Sequence, residues 1–137
     1  QAVIQAGADA IGLVFYAKSP RNVEIEEAAE QGDAKCQLAL EMNAYRVKKY
    51  IGAYAAALNG LDVLVFAAGI GENSPVLRGM ICSEMDYLGI ALDKDKNRIK
   101  EKAIREIQAP GAKVRVLVVP TNEEIEIAKQ SYRLLSE

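Results

Sequence analysis

Gly69-Ile70-Gly71-Glu72-Asn73 and, much further along, Glu123 are the residues whose types and spacing could do chemistry in this chain. Two glycines in three positions remove side chains and allow left-handed dihedrals, so a ligand can approach bare backbone there. Asn73 adds an amide that both donates and accepts. Ser74-Pro75 follows as a helix start, with a hydroxyl able to cap free amides and a proline suited to the first helical position. Before the glycines, Val63 to Phe66 is a continuous apolar run, the pattern of a strand buried on both faces of a parallel sheet. Strand, tight glycine turn and helix N-terminus make a place for a ligand at the carboxyl end of a sheet. A GxG alone serves a tight connection equally well, and Glu72-Asn73 directly behind it sharpens the ligand reading. Glu123 follows a second strand pattern, at a position where a hydrated Mg²⁺ on a nucleotide could sit. Complementing the helix dipole also explains an acid there.

Other chemistries are excluded by what the chain lacks. There is no histidine, which removes imidazole acid-base catalysis and any His-containing metal site. Cys36 and Cys82 stand far apart without metal-ligand spacing and read as reduced, partly buried thiols of a cytoplasmic protein. Asp93 and Asp95 hint at a calcium loop, but no glycine or closing glutamate follows at the right places. With 17 basic and 19 acidic residues the net charge is −2, and no basic stripe points to nucleic acid. The apolar runs match strands and are too short to span a membrane. A chain of 137 residues is long enough for one domain.

The elements that must position these residues can be read in order. Gln1 to Gly7 has the pattern of a helix end, Ala10 to Phe15 of a buried strand, Tyr16 to Asn22 of a loop, and Val23 to Glu30 of a helix. Asp33 is an N-cap for a long helix over Ala34–Leu58, whose apolar stripe is Leu40, Ala44, Val47, Ile51, Ala55 and Leu58. Arg46, Lys48 and Lys49 fall off that stripe as a solvated face, and Tyr45, Tyr50 and Tyr54 read as packing aromatics around the helix. Asn59-Gly60 ends it as a left-handed cap. After the strand Val63–Ala67 and the glycine turn, a helix is expected over Pro75–Leu88, stopped by Gly89. Asp93 to Asn97 is a polar turn between short strands. Val114–Val119 is the second apolar strand, and Pro120 ends it. Thr121 to Glu124 forms a capping box in which Glu124 reaches back to the threonine and Glu123 faces outward, opening a helix over Asn122–Leu135. Each of the last two strands feeds a helix, so they should be parallel neighbours in one sheet of an α/β fold.

GIGENS resembles the adenine-side nucleotide loop of the acetate kinase family, and GDAKCQLAL, YRVKKYIGAYAAALNGLDVLVF and KVRVLVVPTNEEIEIAK extend the resemblance over about residues 32–135. The resemblance implies an actin/sugar-kinase-like α/β domain and a phosphotransferase converting ATP and acetate to ADP and acetyl phosphate. It assigns nucleotide binding to Gly69, Ile70, Gly71, Glu72 and Asn73. It also implicates Glu123, the first glutamate of PTNEE, in binding the Mg²⁺ that accompanies ATP or ADP. Family members carry a further lobe whose asparagine, arginines, aspartate and histidine act on phosphate and acetate. Residues 32–137 are therefore expected to be a C-terminal nucleotide-binding region, inactive alone, that pairs with a second copy or with that lobe. Ala67 stands where the family commonly has threonine, a departure expected to weaken phosphate-side contacts.

GADAIGLVFYAKSPRNVEIEEAAE resembles instead the second βα unit of phosphoribosylanthranilate isomerase, a TIM-barrel enzyme, which assigns residues 1–31 to a separate piece. Arg21 would match a substrate-facing arginine there, although that family's catalytic cysteine and aspartate have no counterparts here. Two further readings accompany the kinase one: an isomerase-related fragment, and a non-catalytic interaction domain that keeps the fold but binds no nucleotide.

Overall fold

The computed structural model describes residues 26–135. The strand expected over Ala10–Phe15, most of the isomerase-like unit and Arg21 lie outside the described residues. Residues 26–30 are helical, and a turn at Gly32 leads into α1, Ala34–Leu58. Asp33 caps this helix as expected, its carboxylate accepting from the amides of Lys35 at 2.8 Å and Cys36 at 3.0 Å. Leu40, Ala44, Val47, Ile51 and Ala55 are buried along one face, while Leu58 in the last turn is exposed. Asn59 closes the helix with φ 60°. The tyrosines do not pack into the core: Tyr45 and Tyr50 are exposed, Tyr50 stacks on Tyr54, and the Lys49 ammonium lies over the Tyr45 ring.

β1, Val63–Ala67, leads into a short helix, α2, Ala68–Asn73, and then α3, Pro75–Cys82. A 3₁₀ turn at Asp86–Leu88 ends at Gly89 with φ 83°. Next come α4, Lys94–Arg98, then β2, Arg105–Glu106, β3, Arg115–Val119, and α5, Glu123–Leu135. The sheet has the order β1-β3-β2, and β1 and β3 are the expected parallel neighbours, paired from Val63 with Arg115 to Ala67 with Val119. β2 joins β3 antiparallel. Phe66, Val116 and Val118 turn inward against Ala44, Val47 and Ile51 of α1 and Leu77 and Ile81 of α3 to form the core. Burial alternates along β3, and in β1 only Phe66 is fully buried, so these strands present one core face rather than two.

Three local expectations are corrected. The glycine turn is helical: Ala68, not a glycine, takes the left-handed conformation at φ 57°, and this reverses the chain from strand into α2. The helix after Pro75 ends at Cys82, because Ser83 turns extended and Glu84 adopts φ 55°. Asp93 to Asn97 is not a turn, because the Asp93 carboxylate accepts from the amides of Asp95 and Lys96 and so starts α4.

Candidate functional site

The parallel register sets the carboxyl ends of β1 and β3 side by side at Ala67 and Val119. From the first, the chain enters α2, which carries Gly69, Ile70, Gly71, Glu72 and Asn73. From the second, residues 120–122 lead to Glu123, the first residue of α5. The loop and the acidic helix start therefore share one end of the sheet.

Each loop residue has a defined local task. Gly71 is buried, and a Cβ built on it would stand 3.3 Å from the carbonyl carbon of Phe66, so a side chain there would require α2 or β1 to give by a few tenths of an ångström. Asn73 donates from Nδ2 to the Gly69 carbonyl at 2.8 Å, which commits part of its amide to bracing α2 and leaves its oxygen as an acceptor. Ser74 caps α3 as expected, accepting from the Leu77 amide at 2.9 Å. Behind the loop, Phe66, Ile70, Gly71, Leu77, Arg78 and Ile81 line a cavity of about 10 Å³, room for about one water.

Beneath the loop is a polar cluster that sequence reasoning missed. Arg78 is 1% exposed and donates from Nη1 to the carbonyls of Gly71 at 2.7 Å and Glu72 at 2.9 Å. Its Nε donates to Asn97 Oδ1 and its Nη2 to the Asn97 carbonyl. Asn97 returns a bond from Nδ2 to the Pro75 carbonyl, and Arg105 donates from Nη2 to the Glu72 carbonyl at 3.2 Å. Burial, and then the neighbouring charge of Arg105, push the Arg78 guanidinium down to about 10, so it stays cationic at neutral pH. The signal was present in the sequence: Arg78 falls on the same helical face as Ser74 and Ile81. Cys82, on the neighbouring turn, is a buried free thiol pushed up to about 12 by burial.

The segment before α5 departs from the expected capping box. Asn122 is the capping side chain, its Oδ1 accepting from the Ile125 amide at 3.1 Å. Thr121 is engaged elsewhere, donating to Glu72 Oε1 from its amide at 2.7 Å and from Oγ1 at 3.0 Å. Among the described residues no group of three or more His, Cys, Asp or Glu gathers as a metal site. Among the described residues no helix is long and apolar enough to cross a membrane.

Comparison with known proteins gives a consistent set of relatives. The model of the acetokinase family matches residues 10–129, and so begins within the segment that resembles the isomerase unit. An acetate kinase of Flavobacterium johnsoniae is 61% identical over 112 residues, covering 82% of this chain and 28% of that protein. The crystal structure of Porphyromonas gingivalis acetate kinase superposes with a TM-score of 0.71 at 45% identity, over 82% of this chain and 28% of the other. A propionate kinase from Francisella tularensis superposes with a TM-score of 0.68 at 37% identity, over 77% of this chain and 26% of the other. The chain thus spans somewhat over a quarter of the length of the relatives it matches.

Proposed function

This chain belongs to the acetokinase family, and from that premise we propose that residues 32–137 act as the C-terminal nucleotide-binding region of an acetate kinase-type phosphotransferase. The observation that carries the reading is the register of Ala67 with Val119, which puts the GIGEN helix and the Glu123 helix start at one end of a parallel strand pair. In this reading the nucleoside lies against the outer side of Gly69 to Asn73, where the glycines expose backbone and Asn73 offers its oxygen. Glu123 supplies an oxygen ligand to Mg²⁺, and the metal, when bound, neutralises charge on the nucleotide phosphates. The acceptor is a small carboxylate, bound by the further lobe that family members carry. The chain's own part is to hold the nucleotide and fix its orientation, since phosphoryl transfer rests mainly on positioning and charge neutralisation.

The finer assignments belong to the same proposal. Residues 1–31 are a separate piece resembling the isomerase βα unit, a boundary that the transcript sequence across residues 30–33 tests directly. A cytoplasmic location agrees with the reading. Association with a second copy or with the further lobe is supported by Leu38, Met42 and Tyr45, which lie exposed at helical spacing on α1.

The test is a titration of isotopically labelled chain with adenosine, ADP and MgADP, followed by NMR. Backbone contacts without a phosphate clamp correspond to an affinity no better than about millimolar, on the order of −4 kcal/mol. Adenosine should bind nearly as well as ADP, magnesium should add little, and shifts should centre on Gly69 to Asn73. Shifts confined to other surfaces, or ADP binding far tighter than adenosine, would overturn the placement of the nucleoside on this loop.

A further inference from the structure

We infer that Glu72 is a positioning residue that couples the loop of Gly69 to Asn73 to the start of α5, rather than a group that touches the nucleotide. The inference rests on the reading of that loop as the nucleoside site. Glu72 is held from two directions. Its carbonyl accepts from Arg78 Nη1 at 2.9 Å and Arg105 Nη2 at 3.2 Å, so two guanidinium groups pin its backbone from beneath. Its carboxylate points the other way and accepts two bonds from Thr121, at 2.7 Å from the amide and 3.0 Å from Oγ1. These bonds bridge 49 positions in sequence and join the two segments that leave the parallel strands.

The chemistry of this contact favours a link over a ligand role. A carboxylate has no proton to donate and repels phosphate, so Glu72 is poorly suited to the anionic half of a nucleotide. One of its oxygens is occupied by Thr121, and its main-chain oxygen by two arginines. Thr121 stands two residues before Glu123 and next to the capping Asn122, so the bond fixes where α5 begins relative to α2. A displacement of α2 by a bound nucleoside would then be felt at the helix start that carries Glu123.

Labelled chain is compared by NMR as wild type, Glu72→Ala and Glu72→Gln, with adenosine as the probe. In the wild type, adenosine should shift the amides of residues 69–73 and, with the same midpoint, those of Thr121 and Asn122. In Glu72→Ala the loop should still shift with adenosine, while the response at Thr121 and Asn122 disappears. Glu72→Gln keeps a carbonyl oxygen able to accept both bonds and should restore that response. A purely structural role would not separate loop affinity from the distant response. A more than tenfold loss of loop affinity in folded Glu72→Ala would make Glu72 a ligand contact and overturn the inference. A distant response that persists in Glu72→Ala, or is missing in wild type whose loop does shift, would overturn it as well. Should adenosine leave residues 69–73 unmoved in every variant, the nucleoside reading fails, and the free chain decides the link by itself. Glu72→Ala, which removes the acceptor of both bonds, then either moves the amides of Thr121 and Asn122, which supports the coupling, or leaves them unchanged, which removes it.

Discussion

Gly71 and Arg78 show how single residues shape the loop. At Gly71 a side chain would press on the Phe66 backbone, which is held in the sheet by β3 and has little freedom to withdraw. Alanine would gain about 1 kcal/mol of helix propensity, but overpacking against fixed backbone costs about 1–3 kcal/mol. Gly71→Ala should therefore unfold several degrees below wild type by circular dichroism, and Gly71→Val lower still, with adenosine shifts abolished. An alanine variant as stable as wild type would show that β1 can yield. Arg78 satisfies three carbonyls and one side-chain amide oxygen in the interior. Removing the donor strips the Gly71 carbonyl and both Asn97 oxygens of this partner and leaves the Glu72 carbonyl to Arg105 alone, so Arg78→Met should lose about 3–5 kcal/mol in urea titration, and Arg78→Lys should recover little because an ammonium lacks the planar fork. Its lowered pKa means that the fold disfavours the charged form. Stability linked to Arg78 should thus be flat through neutral pH and rise only as pH climbs through about 10.

Among the elements, α1 and α5 differ in how their starts are set, and this difference explains what could be read from sequence. Asp33 holds α1 by purely local bonds, to amides two and three residues on. Those bonds, to Cys36 first and then Lys35, hold its carboxyl below the usual carboxylate range. A depressed folded pKa contributes stability that is present above the unfolded value of about 3.9 and is lost as pH falls through the folded value. The amide shifts of Lys35 and Cys36 should therefore titrate with a midpoint below about 3.9, and Asp33→Asn should flatten that titration while preserving the cap. A midpoint at or above that value would count against the bonds. The same local logic applied to Thr121 gave the wrong cap, because its amide and hydroxyl are used by Glu72 far away in sequence. Long apolar periodicities were legible for that reason: the Leu40-to-Ala55 stripe and the parallel pairing of β1 with β3 depend on patterns the chain carries itself. The buried Arg78–Asn97–Arg105 cluster was not, since it joins three segments that no spacing rule connects. Loop glycines marked the connection after β1 but not its conformation, because Ala68 took the left-handed position and left Gly71 to meet the strand.

At the scale of the molecule, the disposition of positive charge bears most directly on catalysis. Transfer of a phosphoryl group needs cations aimed at the phosphates, and removing one charge-stabilising arginine from such a site costs about 10³ to 10⁵ in rate. Among the described residues, Arg78 is spent beneath the loop on carbonyls. Arg115 pairs with Glu106, and the Lys48 ammonium donates to Ser83. Arg105 donates to the carbonyls of Glu101 and Glu72. These side chains are engaged by the protein itself, Arg78 and Arg105 by main-chain oxygens of α2. A preparation of these 137 residues alone should accordingly form no detectable acetyl phosphate from MgATP and acetate, while still showing weak adenosine binding at the loop. The two results belong together: binding without turnover is what a nucleoside platform lacking its phosphate clamp should give. Hydroxamate trapping on highly purified protein is a suitable assay, with Gly71→Val as the control for contaminating kinase. Turnover that is present in wild type and absent in that variant would show that the chain assembles a clamp of its own, from residues other than those placed here.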